Sequence, residues 1–470
     1  MLFNSLNFLL FFPVVCLAYF AIPARQVRVR NGMLLAASYY FYMNWHAEYA
    51  LLLLATTAVT YVAAIGVERA ADNARRRRIW FASGCTLALS GLFVFKYLGF
   101  VGENVERLLS ALGIGIALPD FALLLPVGIS FFTFQALGYL IDVRRGTTKA
   151  ETDFMTFALF LSFFPQLVAG PIERSSNLLP QFRERHTVDY ERVMAGIEMM
   201  VWGYFLKLAL ADRCAIYVDA VYNAATLQSG IAYAVASVLF TFQIYGDFAG
   251  YSLIAIGASR VLGFRLMDNF RAPYLSASLG EFWQRWHISL STWFRDYVYI
   301  PLGGNRRSRP RCYANLLATF AVSGIWHGAN WTFAAWGVLH GAGLCIEKAL
   351  GIAKRRYKGI RRVAHVVLTF VVVNLLWIFF RSDSIDRAFT IIRRMLTNFD
   401  VPYIPLTVLV LSAFAIAVVL LKEIAGERGF KFRATACRSA VVRHAMISVT
   451  IVYVILFGVL GGDQFIYFQF

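Results

Sequence analysis

The sequence predicts an all-α integral membrane protein that crosses the bilayer many times. Of its 470 residues, 59% are hydrophobic and 15% are charged, whereas soluble domains carry about 25% charged residues. The apolar residues come in blocks near bilayer length, and a span needs about 20 of them. The basic residues form short clusters between these blocks, as they do in the cytoplasmic loops of membrane proteins. Composition, block length and charge placement therefore predict the same class.

The apolar blocks define the predicted spans. Blocks of 12 to 17 residues are shorter than a bilayer, so we expect some to be tilted, re-entrant or buried, and the total to be about 11 to 14 spans. No segment is long and polar enough for a separate soluble domain, so 1–470 is interpreted as one membrane domain. The blocks lie at 6–23, 33–44, 47–66, 79–98, 122–141, 154–170, 194–212, 230–262, 313–327, 331–350, 364–380, 403–421 and 445–461.

The charge distribution predicts orientation and excludes one class of partner. Residues 1–5 lack a basic stretch, so the first block is expected to be a retained helix rather than a cleaved signal peptide. The basic cluster at 25–30 places the first loop in the cytoplasm and the N-terminus outside. The net charge is +18, but the basic residues do not follow one helix face with interleaved aromatics, which argues against nucleic-acid binding.

Two segments are too polar to cross lipid. Residues 171–193 contain Pro171 and Pro180 and predict a loop or a short surface helix. Residues 278–297 predict one amphipathic helix that carries His287 on its aromatic face, with Arg285 on the opposite face.

The strongest chemical signal is His327 in the stretch SGIWHGAN (323–330), at the end of an apolar block. An ionisable side chain at membrane depth is costly and usually faces a cavity or a partner. Histidine is the usual general base, because its ordinary pKa lies near working pH. Gly324 and Gly328 would leave the imidazole accessible, and Trp326 and Asn330 would contact substrate. The alternative is a packing histidine with glycines that allow close helix contact.

His287 is the second candidate. It stands among three tryptophans, so it either takes part in catalysis or anchors an interfacial helix. Arg285 on the same segment is a candidate for orienting substrate. For His340, on a glycine-flanked block, packing is the favoured interpretation.

A polar row lies on the long block at 230–262. Gln243, Asp247 and Tyr251 recur every four residues and share one helix face, with Tyr245 beside them. Such a row orients a histidine or binds sugar hydroxyls, or else forms a structural hydrogen-bond network between helices. The residues alone leave both interpretations open.

A glycine-rich basic loop follows the amphipathic segment. Asn305, Arg306 and Arg307 come directly after two glycines, and backbone amides beside guanidiniums can hold phosphate. An ordinary basic loop explains them equally well. The sequence has no Walker A, GxSxG or HExxH pattern, and its six scattered cysteines predict neither a disulfide framework nor a metal site.

Five long blocks of the sequence carry a family pattern. They are LPVGISFFTFQALGYLIDVRRG (125–146), FFPQLVAGPIERSSNLLPQF (163–182), FQIYGDFAGYSLIAIGASRVLGFRLMDNFRAPY (242–274), EFWQRWHISLSTWFRDYVYIPLGGNRR (281–307) and SGIWHGANWTFAAWGVLHG (323–341). Taken together, these blocks resemble the membrane-bound O-acyltransferase (MBOAT) family, and within it the bacterial branch that includes the alginate O-acetyltransferase membrane subunit. The resemblance runs in order from the first helix to about residue 381, with the core at about 122–381.

The resemblance implies a ring of helices, with short re-entrant or amphipathic helices, around a central funnel and tunnel. It maps the family's two motif histidines onto His327 and His287. It implies acetyl-CoA or another cytoplasmic acyl thioester as donor, with no tightly bound cofactor, and an extracytoplasmic glycan as acceptor. It further implies a periplasmic or membrane-anchored acetyltransferase partner and a place in the bacterial inner membrane.

The acceptor stays open within this resemblance. Ile172 and Glu173 differ from the alginate subunits after the Gly-Pro pair, and the ending FIYFQF is similar to subunits that act on peptidoglycan or other envelope glycans. One alternative is a D-alanyl transferase for teichoic acid, fed by a carrier-protein thioester. A polymer or lipid transporter is a third hypothesis, but the paired broken-helix repeats of transporters are not evident.

Overall fold

A computed structural model describes residues 1–461 except 117, 118, 120–122, 169, 353, 354, 356 and 431–438. Every regular element in these residues is helical, as predicted. Cys437, one of the six cysteines, and the ending FIYFQF lie outside the described residues. The chain divides into two compact units, 1–193 with 258–267 and 194–257 with 268–470. The single membrane domain over 1–470 stays a prediction.

The first unit is built on long helices near its beginning and shorter ones toward residue 193. Gly84 lets two of them touch, because a Cβ there would lie 2.5 Å from the Cβ of Ala63. The helices are α1 (Leu6–Ala21), α2 (Val27–Met43), α3 (Tyr49–Arg69), α4 (Ala74–Leu92), α5 (Leu98–Ala111), α6 (Ile129–Arg145), α7 (Phe154–Ser162), α8 (Phe164–Leu167) and α9 (Ser175–Gln181). A π-helical turn, Phe93–Tyr97, joins α4 to α5.

The segment predicted as a loop or short surface helix is a short helix, but it is buried. Glu173 is 2% exposed and accepts hydrogen bonds from the Met267 amide at 2.6 Å and from the Asn177 side chain at 2.7 Å. Gln181 exchanges two hydrogen bonds with the backbone of Arg265. The surface position was wrong because these polar groups bind the backbone at 265–267 instead of water.

The second unit contains both candidate histidines. Its helices are α10 (Tyr190–Tyr204, which begins in the first unit), α11 (Asp212–Tyr222), α12 (Gly230–Leu262, which ends in the first unit), α13 (Leu279–Arg285), α14 (Ile288–Phe294), α15 (Arg309–His327), α16 (Trp331–Ala349), α17 (Gly359–Arg381), α18 (Ile385–Thr397), α19 (Leu406–Glu427) and α20 (Ala440–Phe457). Phe205–Ala211 and Arg295–Tyr299 are π-helical, and Pro273–Leu275 forms a 3₁₀ turn.

Six helical stretches in the described part of the chain are long and apolar enough to cross a membrane. They are Tyr49–Arg69, Ala74–Ala111, Tyr190–Tyr222, Gly230–Leu262, Gly359–Arg381 and Leu406–Glu427. The apolar helices Leu6–Ala21 and Val441–Phe457 are shorter. The remaining predicted blocks fall on helices that are shorter or more polar, so the count of 11 to 14 spans stays a prediction.

The single amphipathic helix predicted at 278–297 is wrong. The chain forms α13, breaks at Trp286 and His287, and restarts as α14. His287 has φ 43° and ψ 55°, the left-handed conformation that ends a right-handed helix. Helical periodicity holds only within an unbroken helix, so the predicted aromatic face that carries His287 does not continue across the break.

Candidate active site

Helices α15 and α16 form a tight hairpin that fixes His327. A Cβ on Gly324 would lie 2.2 Å from the Phe333 carbonyl oxygen, and one on Gly337 would lie 2.2 Å from the Phe320 carbonyl oxygen. A Cβ on Gly328 would lie 2.1 Å from the Phe333 ring. The glycines therefore make room for α16 rather than for substrate, so the predicted access role of Gly324 and Gly328 was wrong. His327 itself is the last residue of α15 and is 3% exposed.

Asn269 holds the backbone break that carries His287. Its carbonyl accepts from the Ile288 amide at 2.9 Å, and its Oδ1 accepts from the Ser289 hydroxyl at 2.9 Å. Its own amide donates to the Ser252 hydroxyl of α12 at 3.1 Å. These bonds stabilise the left-handed residue between two short helices, and His287 is completely buried there.

The break and the hairpin bring the two predicted histidines together. The ring centroids of His287 and His327 are 6.4 Å apart. Trp326 lies 5.0 Å from the His327 ring and 6.1 Å from the His287 ring. Trp336 and Phe380 contact His327 at 5.1 and 5.6 Å, and Phe248 contacts His287 at 4.5 Å. We call His287, His327 and these four aromatic residues the histidine chamber.

The chamber keeps an imidazole in its neutral form. Helices α13 and α14 are too short to span a bilayer, and His287 lies between them. Burial lowers the pKa of His287 to about 3, so this imidazole is neutral near pH 7. A neutral imidazole can donate a hydrogen bond from one ring nitrogen and accept one at the other.

A cavity of about 270 Å³ lies beside the chamber. At one end it is lined by Arg295 and Tyr299, which precede the glycine-rich basic loop. At the other it is lined by Leu290 and by Ser323, one helical turn before His327. Helix α15 runs along it from the basic loop to the histidine. The cavity therefore leads from the basic loop toward the chamber.

The polar row on α12 contacts a buried lysine rather than the histidine chamber. The Lys207 ammonium lies 2.8 Å from Asp247 Oδ1 and 2.8 Å from Asp212 Oδ1. These three side chains are 2%, 4% and 7% exposed, respectively. We call them the lysine triad. The ion pair between helices favours the structural interpretation of Asp247.

The other members of the row have varied surroundings. The Tyr251 ring centroid lies 5.8 Å from the Lys207 ammonium, so Tyr251 flanks the lysine triad. Tyr245 donates a hydrogen bond to Glu423 of α19 and contacts the Trp286 ring at 6.1 Å. The Oε1 of buried Gln243 accepts no hydrogen bond from any described residue.

Three other candidates hold structural contacts. Arg285 pairs with Glu281 and Glu427, each at 2.7 Å. Asn330 caps α16 by accepting from the Thr332 amide at 3.0 Å. His340 is fully buried and accepts a hydrogen bond from the Trp283 indole at 3.3 Å, in line with the packing interpretation.

In the basic loop, Asn305 is hydrogen-bonded to neighbouring side chains, whereas the two arginines are exposed. Asn305 accepts from the Tyr299 hydroxyl at 2.8 Å and from Lys348, and Lys348 in turn donates to Cys312 at 2.7 Å. Arg306 and Arg307 are exposed. Phosphate binding by this loop stays a prediction. Across the described residues, no three histidine, cysteine or acidic side chains gather as metal ligands.

Two residues important to the site were missed in the sequence. Lys207 interrupts the apolar stretch FLKLALA, and a charge within a span signals a buried partner. Asn269 had no such signal, because its role depends on the left-handed backbone at His287. The chamber's Trp336, Phe380 and Phe248 are ordinary apolar residues in the sequence.

The family model for the membrane-bound O-acyltransferase (MBOAT) family matches residues 147–385, which include both histidines. This is just over half of the chain. The chain belongs to the membrane-bound O-acyltransferase family. It is therefore an acyltransferase of the membrane.

Similar proteins in bacteria extend the likeness beyond that core. The chain is 38% identical to a probable alginate O-acetylase of Azotobacter vinelandii over 90% of its own length and 83% of the relative's. It is 33% identical to a peptidoglycan O-acetyltransferase of Helicobacter pylori, over 84% and 80% of the two chains. It is 32% identical to a teichoic acid D-alanyltransferase of Streptococcus thermophilus, over only 47% and 57%.

Proposed function

We propose that this enzyme transfers an acetyl group from a cytoplasmic thioester, acetyl-CoA or a similar donor, toward the hydroxyls of an envelope polysaccharide. The observation that carries the proposal is the 6.4 Å pairing of His327 with His287 in a buried chamber. We further propose that the enzyme acts in the inner membrane and passes the acetyl group to a periplasmic or membrane-anchored partner.

The similar proteins support acetate and a glycan. Relatives named for O-acetylation of alginate and of peptidoglycan match more than four-fifths of the chain. The relative named for D-alanyl transfer matches less than half of it. Because these names include two different acetylated polymers, the acceptor in this proposal is alginate, peptidoglycan or another envelope glycan.

The chamber supports acyl transfer with histidine as base. His327 withdraws the proton of the attacking hydroxyl as its oxygen bonds to the thioester carbonyl carbon. The carbon–sulfur bond then breaks, and the leaving thiolate takes up the proton from the imidazolium. An acyl-histidine relay uses the same residue, with the acyl group on the imidazole between the two steps. His287, neutral and buried beside it, positions or polarises the reacting groups.

The cavity supports a donor that arrives from the side of the basic loop. Arg295 and Tyr299 line the end near that loop, and Ser323 lines the end near His327. Basic loops mark the cytoplasmic side, where acyl thioesters are made. The cavity lining on α15 runs from Leu316 to Ser323, about 10 Å along the helix, which offers a path for the thin arm of such a thioester while the bulk of the donor stays outside.

The experiment uses membrane vesicles that contain the full chain, the partner and the glycan, with acetyl-labelled acetyl-CoA added to the cytoplasmic face. We expect label to accumulate on the glycan as base-labile ester. His327→Ala should abolish the transfer, while His46→Ala, at a histidine whose side chain is 42% exposed, should not. Immunoblotting confirms equal insertion of both variants.

Three results would contradict the proposal. Normal glycan acetylation by an inserted His327→Ala protein would exclude the catalytic role. D-alanine esters in place of acetate would assign the D-alanyl activity. Movement of a polymer or lipid across the vesicles without consumption of thioester would assign a transporter.

A further inference from the structure

A cavity of about 450 Å³ lies in the first unit, where α3 turns into α4. Its rim carries Arg69, Asp72 and Arg76, and its wall carries Val62, Ile65 and Trp80. None of these residues belongs to the histidine chamber or to the cavity beside it. The lining therefore combines charged and apolar groups at the turn between α3 and α4.

The guanidiniums of Arg69 and Arg76 are free to bind a ligand. Within the described residues, neither makes an ion pair or a side-chain hydrogen bond, whereas Arg77 donates to the carbonyl of Arg144. Asp72 lines the same rim, so two positive charges face one negative charge. The rim keeps a net positive charge and attracts an anion.

The order of these residues along the helices separates the charged rim from the apolar wall. Helices α3 and α4 both belong to stretches long and apolar enough to cross a membrane. Val62 precedes Arg69 by seven residues, which is about 10 Å along α3, and Trp80 follows Arg76 by four, about 6 Å along α4. The guanidiniums thus lie at the helix ends, and the apolar wall lies deeper in the bilayer.

Gly66 shapes the wall. A Cβ at this position would lie 2.3 Å from the Trp80 ring, so the indole rests directly on the backbone of α3. Tryptophan is enriched at the membrane interface, between hydrocarbon and headgroups. The position of Trp80 in the wall therefore fits a ligand that has a headgroup on one side of this interface and an acyl chain on the other.

We propose that this cavity binds one anionic phospholipid of the leaflet that faces the basic loops. The two guanidiniums hold the phosphate, for which arginine is suited by its fork of N–H donors. The first part of an acyl chain lies along Val62, Ile65 and Trp80. A free phosphate would use the rim and leave the apolar wall unoccupied, whereas a phospholipid fits both.

The test measures how much phosphatidylglycerol stays with the intact, detergent-purified protein in native mass spectrometry. The double variant Arg69→Gln/Arg76→Gln should lose retained lipid roughly tenfold. The matched control is Arg75→Gln/Arg78→Gln, which removes the same charge from exposed residues outside the cavity lining. This control should keep the lipid. Asp72→Asn should retain more lipid than the parent, because it removes the rim's negative charge.

A second measurement follows Trp80 directly. Phosphatidylglycerol brominated in its acyl chains should quench part of the protein's fluorescence, and the quenched part should disappear in Trp80→Phe. Equal lipid loss in the two double arginine variants would overturn the proposal in favour of diffuse surface attraction. Full displacement by inorganic phosphate, or equal retention of phosphatidylcholine, would overturn it as well.

Discussion

The second unit contains two buried polar clusters that are built in different ways. In the lysine triad, one ammonium contacts two carboxylate oxygens at 2.8 Å, so the charges bind each other. In the histidine chamber, aromatic rings surround two imidazoles, and burial lowers the pKa of His287 to about 3. The triad uses its charges to join helix segments. In the chamber, burial keeps the His287 imidazole neutral, so no counter-charge is needed there.

This difference gives Asp247 and the two histidines separate roles, although the sequence suggested that Asp247 could act on a histidine. Asp247 was a candidate for orienting a histidine, but one of its oxygens pairs with Lys207. The ion pair gives this carboxylate a structural partner on another helical segment. The comparison predicts that substitutions in the triad change stability, while substitutions in the chamber change the rate of transfer.

The largest expected effect comes from Lys207→Met. It leaves Asp212 and Asp247 buried without their ammonium, and breaking a buried pair in this way costs about 3–5 kcal/mol. We expect a large drop in the thermal midpoint of the detergent-purified protein. The control is Lys207→Met/Asp212→Asn/Asp247→Asn, which removes all three charges and should recover most of the loss. An unchanged midpoint in the single variant would refute the structural role of the triad.

A second pair of variants compares the two clusters directly. His287→Ala should slow acetyl transfer about 10- to 100-fold, the usual range for a group that supports a reactive centre. Asp247→Asn should leave the rate per folded molecule nearly unchanged, because Asp212 still pairs with Lys207. Rates are normalised to folded protein by size-exclusion chromatography. Equal rate losses in the two variants would restore the interpretation that Asp247 orients a histidine.

A third comparison concerns the backbone of the chamber. The left-handed conformation of His287 costs about 1–2 kcal/mol for a residue with a Cβ, and glycine avoids that cost. His287→Gly should therefore melt at a higher temperature than His287→Ala, although both lack the imidazole. The opposite order of melting temperatures would show that this backbone is not strained.

The smallest effect concerns Glu173, a buried carboxyl of the first unit that accepts from two amides. Burial raises its pKa to about 7, although the hydrogen bonds from Asn177 and Met267 lower it. The pKa of this carboxyl is about 7 in the folded protein and near 4.5 in the unfolded chain. The protonated carboxyl therefore adds stability that is fully present below pH 4.5 and is lost as the pH rises through about 7. Lowering the pH from 7.5 to 6.5 should stabilise the parent by about 0.7 kcal/mol relative to Glu173→Gln. Parallel melting curves for the two proteins would contradict this.

Much of the fold was predictable because apolar block length sets where helices lie. The block at 230–262 matches α12 to the residue, and 331–350 differs from α16 by one residue. The periodicity of 278–297 failed, because one left-handed residue divides that helix. This break depends on Asn269, which is nine residues upstream of the segment and carries no local signal of its role.

The two histidines of the candidate site were predictable from the sequence, but the aromatic residues that surround them were not. His327 and His287 stand out as ionisable residues among apolar ones, and the structure brings them together. Trp336 and Phe380 come from two different helices and meet His327 only through packing. The glycines of the SGIWHGAN stretch suggested access to the imidazole, but a glycine pattern alone does not distinguish access from helix contact.

The contact of Gly324 with Gly337 has a consequence for how the enzyme works. Because a hydrogen atom is all that fits between the two helices there, α15 and α16 cannot slide past each other without a collision. His327, at the end of α15, is therefore held in a fixed position relative to α16. Under the proposed mechanism, the acyl donor and the attacking hydroxyl would have to reach a stationary imidazole, and little reorganisation of the protein would be needed at the moment of reaction.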